Sequence, residues 1–138
     1  MNQKPILFLL VPNISLFMKK EKESLGLSLG ASFVAGSIES KLIPLDYYDF
    51  NYALREIRST LFTPQSTLEK LFDGNAFLSL YSGQTSDSLI DSWIHELISR
   101  IPQKNYGAIG LSLDVRDTRS LISKASLSFA ILLARALK

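Results

Sequence analysis

Ile6-Leu7-Phe8-Leu9-Leu10-Val11 is the stretch that decides the fold. It is a continuous apolar run, introduced by Lys4-Pro5 and closed by Pro12-Asn13. A half-exposed strand would alternate apolar and polar residues, and a helix this short would bury little. A run without alternation fits a strand buried on both faces, as the inner strands of parallel sheets are. It falls far short of the roughly 20 residues of a membrane-spanning helix. It also lacks the small-residue cleavage site of a secretory leader, and Pro12-Asn13 stops it abruptly.

Two more runs of this kind follow. Lys41-Leu42-Ile43-Pro44-Leu45-Asp46 reads as a second strand with Asp46 at its carboxyl end, and Pro44, which has no amide to donate, places it at a sheet edge. Tyr106-Gly107-Ala108-Ile109-Gly110-Leu111-Ser112-Leu113 reads as a third, buried strand, with Asp114-Val115-Arg116-Asp117-Thr118 as the loop after it. The aromatics Tyr47, Tyr48, Phe50 and Tyr52 have no basic residue among them, so packing under a loop is favoured over stacking on bases.

Helical patterns separate the runs. Ser24 can cap a helix near Leu25–Ser40, with Leu25, Leu29, Phe33, Val34 and Ile38 as its apolar positions. Gly26, Gly30 and Gly36 would each cost that helix about 1 kcal/mol relative to alanine. Close helix-on-sheet packing, or a closely approaching ligand, would offset the cost. Tyr52–Phe62 reads as helical up to Thr63-Pro64, and Ser66–Phe72 adds a turn or two before Asp73-Gly74-Asn75. Ala76–Tyr81 fits either helix or strand. The clearest helix is Asp87–Ile101, where Leu89, Trp93, Leu97 and Ile101 recur every fourth residue beside Ile90, Ile94 and Ile98. A last helix runs from about Thr118 to the terminus, with Leu121, Ile122, Ala125, Phe129, Leu132, Leu133 and Ala136 inward.

The order β-α-β-α-α-β-α predicts a single α/β domain over residues 1–138, with a mainly parallel sheet covered on both faces. Right-handed crossovers give the Rossmann-like or flavodoxin-like strand order 2-1-3. Ligands in such sheets bind past the carboxyl ends of the strands. That rim is expected at Pro12-Asn13, Asp46-Tyr47 and Ser112–Asp114, where Asp46 and Asp114 could meet. A third strand with an open edge, and a chain that stops on a helix where another strand would follow, suggest a piece of a longer domain.

Composition removes several classes of function. A chain of 138 residues with 46% hydrophobic and 20% charged residues fits one ordinary globular domain. Fifteen Lys and Arg against 13 Asp and Glu leave a net charge of +2, too little for a nucleic-acid surface. The chain has no cysteine, which excludes a disulfide framework, thiolate zinc, a cysteine nucleophile and a Cys-ligated iron–sulfur cluster within it. A cytoplasmic chain is expected, with no membrane span and an oligomeric state that the sequence does not give. Lys19-Lys20-Glu21-Lys22-Glu23 reads as a solvated loop. His95, the one histidine, lies about 200° round the helix from Trp93 and so on its polar side, within reach of Asp91 one turn back. There is no Gly-x-Ser-x-Gly elbow, no metal-ligand spacing and no Gly-Lys-Ser/Thr phosphate loop. Gly26-Leu27-Ser28-Leu29-Gly30 lies too far from the first strand for a dinucleotide fingerprint, and Gly107 and Gly110 sit inside a strand.

Two segments carry a resemblance. Glu23-Ser24-Leu25-Gly26-Leu27-Ser28-Leu29-Gly30-Ala31-Ser32-Phe33-Val34-Ala35, followed by Leu42–Asp46, resembles a stretch of cobalamin-binding-type domains that precede a radical S-adenosylmethionine barrel. Tyr106–Ser112, with the ending Leu133-Ala134-Arg135-Ala136-Leu137-Lys138, is similar to their valine–glycine–isoleucine–serine, helix, leucine–lysine stretch. The resemblance implies the amino-terminal, cofactor-holding part of a methyltransferase or iron–sulfur oxidoreductase, inert by itself. Its [4Fe-4S] cluster and S-adenosylmethionine would belong to a downstream barrel, the expected partner. The Asp-x-His-x-x-Gly signature, whose histidine ligates cobalt in one branch of these domains, is missing, since Asp114–Thr118 contains no histidine. Relatives fused to radical enzymes commonly lack it too. If a corrin binds, the positions implied are Pro12, Asn13, Leu25 and Gly26 near the first strand's exit, with Ser112, Leu113, Asp114 and Thr118 from the third. The same residues can instead simply end strands and cap helices. The alternatives are the same fold acting as an interaction or regulatory module, or a small flavodoxin-like enzyme without a phosphate loop.

Overall fold

The computed structural model describes residues 3–11, 29–51, 53, 65–113 and 121–138. The elements among them are β1 (Ile6–Leu10), α1 (Leu29–Glu39), β2 (Leu45–Asp49), α2 (Gln65–Phe72), α3 (Gly74–Ser82), α4 (Ser88–Ser99), β3 (Ala108–Ser112) and α5 (Leu121–Ala136). The three strands form one sheet in the order β2-β1-β3. Both pairings are parallel: Ile6 lies opposite Leu45 on one side and Ala108 on the other, and Leu10 opposite Asp49 and Ser112. The molecule is thus a three-layer α/β fold with the apolar run of β1 in the middle.

The alternation of β1 divides the interior. Leu7, Leu9 and Val11 enter the main core with Leu68 and Leu71 of α2, Leu80 of α3, Ile90, Trp93 and Leu97 of α4, and Phe129 and Leu133 of α5. Trp93 meets Phe129 edge-on, with ring centroids 6.3 Å apart. Phe8 and Leu10 point the other way, against Ala31 and Ala35 of α1 and Leu45. Tyr47 leans on Phe8 on this thinner side, with centroids 5.7 Å apart. The stripe expected on α4 is present, with Trp93, Leu97 and Ile101 all buried.

Several expectations are corrected. The second strand starts at Leu45, not Lys41, because the end of α1 continues through residues 41 and 42: Lys41 N donates to Ile38 O and Leu42 N to Glu39 O. Leu42 takes a left-handed conformation at φ 58° to turn the chain. Tyr47 and Tyr48 are therefore strand residues rather than loop residues, and Asp46 is the second residue of β2 rather than its carboxyl end. Ala76–Tyr81 is helical, inside α3. The packing role expected for the glycines of α1 fails at Gly30 and Gly36, where an added Cβ would have no neighbour within 4 Å. Phe33 and Val34 face outward, at 79% and 44% exposure, and the buried side of α1 is small. On α5, Leu121 and Ala136 are exposed, while Ala125, Phe129, Leu132 and Leu133 are buried as expected. The helix expected over Tyr52–Phe62 lies almost wholly outside the described residues.

Candidate functional site

Parallel pairing brings all three strand exits to one edge of the sheet. The last ladder row there is Asp49–Leu10–Ser112. The ladder runs one step further between β1 and β3, where Val11 N donates to Ser112 O at 2.9 Å. The chain enters residues 12–28 from Val11 and residues 114–120 from Leu113, so these two exits leave the sheet side by side. From β1 the chain turns to β2 by way of α1 on one face, and it returns to β3 by way of helices on the other. The exits of β1 and β3 therefore mark the topological switch point, where open α/β sheets form a ligand crevice.

Of the residues expected to hold a ligand, Ser112 and Leu113 are described, and both are half-buried at this edge. Pro12, Asn13, Leu25, Gly26, Asp114 and Thr118 lie outside the described residues. Asp49 stands at the edge in the place expected for Asp46. Its Oδ1 accepts from Asn51 N at 2.9 Å and from Asn51 Nδ2 at 3.0 Å, which turns the chain sharply out of β2. The signal for Asp49 was available in Tyr47-Tyr48, two aromatic residues that favour a strand.

Asp46 has a different role. Lys104 Nζ lies 2.7 Å from its Oδ2, and the Tyr106 hydroxyl donates to the same oxygen at 2.9 Å. Lys104 and Tyr106 belong to the segment leading into β3, so Asp46 ties that segment to β2 near the amino ends of the strands. Hydrogen bonds from Lys104 and Tyr106 hold its carboxyl below the usual range. The Tyr106 phenol is pushed up to about 12, first by burial and then by its hydrogen bond to Asp46 and the carboxylate's charge. The meeting of Asp46 with Asp114 at the carboxyl rim is ruled out on the Asp46 side by this placement.

His95 is exposed on α4, as its helical angle predicts, and lines a surface groove together with Asp91. Among the described residues, no group of three or more His, Asp or Glu could hold a metal ion, and no helix is long and apolar enough to cross a membrane. Comparison with protein-family models, with curated proteins and with solved structures finds no match to this chain.

Among the described residues, the carboxyl edge presents the Asp49 carboxylate, already held by Asn51, and the half-buried Ser112 and Leu113, while Leu10 and Val11 are buried beneath it. It supplies no imidazole, because the single histidine stands on α4.

Proposed function

We propose that this chain is a cobalamin-binding-type α/β domain that works in the cytoplasm and holds a corrin, or one end of a substrate, over a downstream radical S-adenosylmethionine barrel. The parent enzyme would be a methyltransferase or an iron–sulfur oxidoreductase. The observation that carries this reading is the shared carboxyl edge, with Val11 hydrogen-bonded to Ser112 and the two exits leaving side by side. The Ser112 hydroxyl and the backbone around Leu113 would meet corrin amides, and the flanking residues Pro12, Asn13, Leu25, Gly26, Asp114 and Thr118 would complete the site. The corrin would supply methyl-transfer or redox chemistry at cobalt. The chain's own contribution is to hold and orient it, without a histidine from the strand exits to the metal.

Titration with hydroxocobalamin, followed by its visible spectrum and then by a desalting column, tests this. Retention near one equivalent is the expected result, and no spectral shift with no retention overturns it. A cysteine triplet encoded beyond Lys138 would support the radical-enzyme parent.

One observation favours a second reading, in which the same fold serves as an interaction module without corrin. Phe33 and Val34, adjacent on α1, face outward at 79% and 44% exposure. Adjoining exposed apolar side chains, unlike single ones, mark docking surfaces. Failure to retain hydroxocobalamin, together with a defined partner that protects Phe33 and Val34 from solvent, would decide for this module.

A further inference from the structure

A groove of about 500 Å³ runs between the end of α3, one side of α4 and the end of α5. Its volume falls within the roughly 300–1,000 Å³ of small-molecule sites. The floor is aliphatic, formed by Leu80, Ile90, Ile94 and Leu132. Opposite charges stand on its walls, Asp91 on α4 and Arg135 on α5. Among the described residues no ion pair joins Asp91 to Arg135, so the two do not neutralise each other.

Arg135 is held in advance of any ligand. Its Nη1 donates to the carbonyls of Leu80 and Tyr81 at the end of α3, and its guanidinium lies 5.6 Å from the centre of the Tyr81 ring. Gly83 ends α3 beside it, in the left-handed backbone at φ 78° that favours glycine. A side chain already fixed loses little rotamer freedom when it binds. Thr85, Ser86 and His95 add hydroxyl and imidazole groups around the opening.

We propose that this groove binds a zwitterionic aliphatic amino acid, with its carboxylate on Arg135, its ammonium on Asp91 and its hydrocarbon on the Ile90–Ile94 floor. A purely anionic ligand would meet the Asp91 carboxylate, and a purely cationic one the guanidinium. Only a molecule with both charges satisfies both walls while covering the apolar floor. The site does not depend on the corrin reading, since it lies among helices rather than at the strand exits.

Equilibrium dialysis of the full chain against L-leucine, ε-aminocaproate, isocaproate and isoamylamine tests it. The first two are zwitterions with different charge spacing, and the last two each lack one charge. At least one zwitterion is expected to bind about tenfold more tightly than either singly charged analogue, the scale of one charged hydrogen bond. Asp91→Asn and Arg135→Gln should each reduce it to the level of the singly charged compounds. Because Arg135 also caps α3, Ile94→Trp is the second variant: it fills the groove and should abolish binding while the helical circular dichroism is unchanged. Equal binding of all four compounds, no binding of any, or binding that survives Ile94→Trp would overturn the proposal.

Discussion

Lys70 reaches across from α2 to place its Nζ 2.7 Å from Oδ2 of Asp87, the buried residue that caps α4. The other oxygen, Oδ1, accepts from Leu89 N at 3.1 Å and Ile90 N at 3.2 Å. One carboxylate therefore starts the helix that carries Trp93 into the core and fixes that start to a second helix. Burial pushes the Asp87 carboxyl up, but the hydrogen bond from Lys70 and those from the Ile90 and Leu89 amides outweigh it and hold the group below its usual value.

Asp87→Ala should lower stability by about 1–2 kcal/mol, the scale of a lost helix cap, with little added from Lys70, which is itself partly exposed. Asp87→Asn keeps a cap and should lose about half as much. Urea unfolding of the three proteins measures this. The pH dependence follows from the sign of the shift. A carboxyl lowered in the folded state stabilises the fold above its unfolded value, near 3.9, and that contribution is lost as pH falls through the lower folded value. The gap between wild type and Asp87→Ala should therefore narrow in acid and stay constant from weakly acidic to neutral pH.

Gly30 and Gly110 should respond to alanine in opposite directions. At Gly30 an added methyl meets nothing within 4 Å, so Gly30→Ala should stabilise α1 by up to about 1 kcal/mol through helix propensity alone. At Gly110 the new Cβ would sit 3.1 Å from Cδ2 of Phe8, whose ring is wedged under α1. Gly110→Ala should therefore destabilise, by about 1 kcal/mol, the scale of mild overpacking. Paired thermal melts check both signs, and a destabilising Gly30→Ala would show that something packs closely on that face.

How far the residue pattern carried the fold depends on how local each signal was. The run Ile6–Val11 needed no partner to be read, and the strand order followed from the order of elements. Asp73-Gly74-Asn75 was legible as a stop after α2 but not as a start. Yet Ala76 N donates to Asp73 Oδ1 at 2.8 Å, so the same residues also cap α3. Leu42 gave no warning of its left-handed backbone, because glycine or asparagine is the usual residue there. That hidden turn moved β2 four residues along and put Asp49, rather than Asp46, at the carboxyl edge. The partners of Asp46 lie 58 and 60 residues away, at Lys104 and Tyr106, beyond any local pattern. Ser112 and Leu113 stand at the exit of β3 as expected, because that strand is a plain apolar run in the sequence.

The Tyr106 phenol should ionise late, with a midpoint near 12. Since its folded value is raised above the ordinary value near 10, its contribution to stability is complete below pH 10 and fades as pH rises through about 12. Titration of tyrosinate absorbance should lose this late phase in Tyr106→Phe. In Asp46→Asn the phase should move down toward the ordinary value, because the accepting carboxylate and its charge are gone while the burial remains. A late phase unchanged in both variants would assign it to another tyrosine.

Under the corrin reading, Ser112 is the described residue whose side chain stands in the edge row next to Leu10 and whose carbonyl anchors Val11. Ser112→Ala removes only the hydroxyl and should weaken hydroxocobalamin binding by about tenfold at most, the scale of one hydrogen bond. Ser112→Trp leaves the carbonyl in place but sets an indole in the edge row beside Leu10, on the α1 side of the strand exits, and should abolish retention on the desalting column. Leu127→Ala, on the exposed side of α5, serves as the control and should bind as wild type does. If all three variants retain the cofactor equally, it binds away from the strand exits. Loss in Ser112→Trp alone, with native circular dichroism, would locate it at the switch point, because that substitution changes the crevice and leaves the ladder's backbone bonds intact.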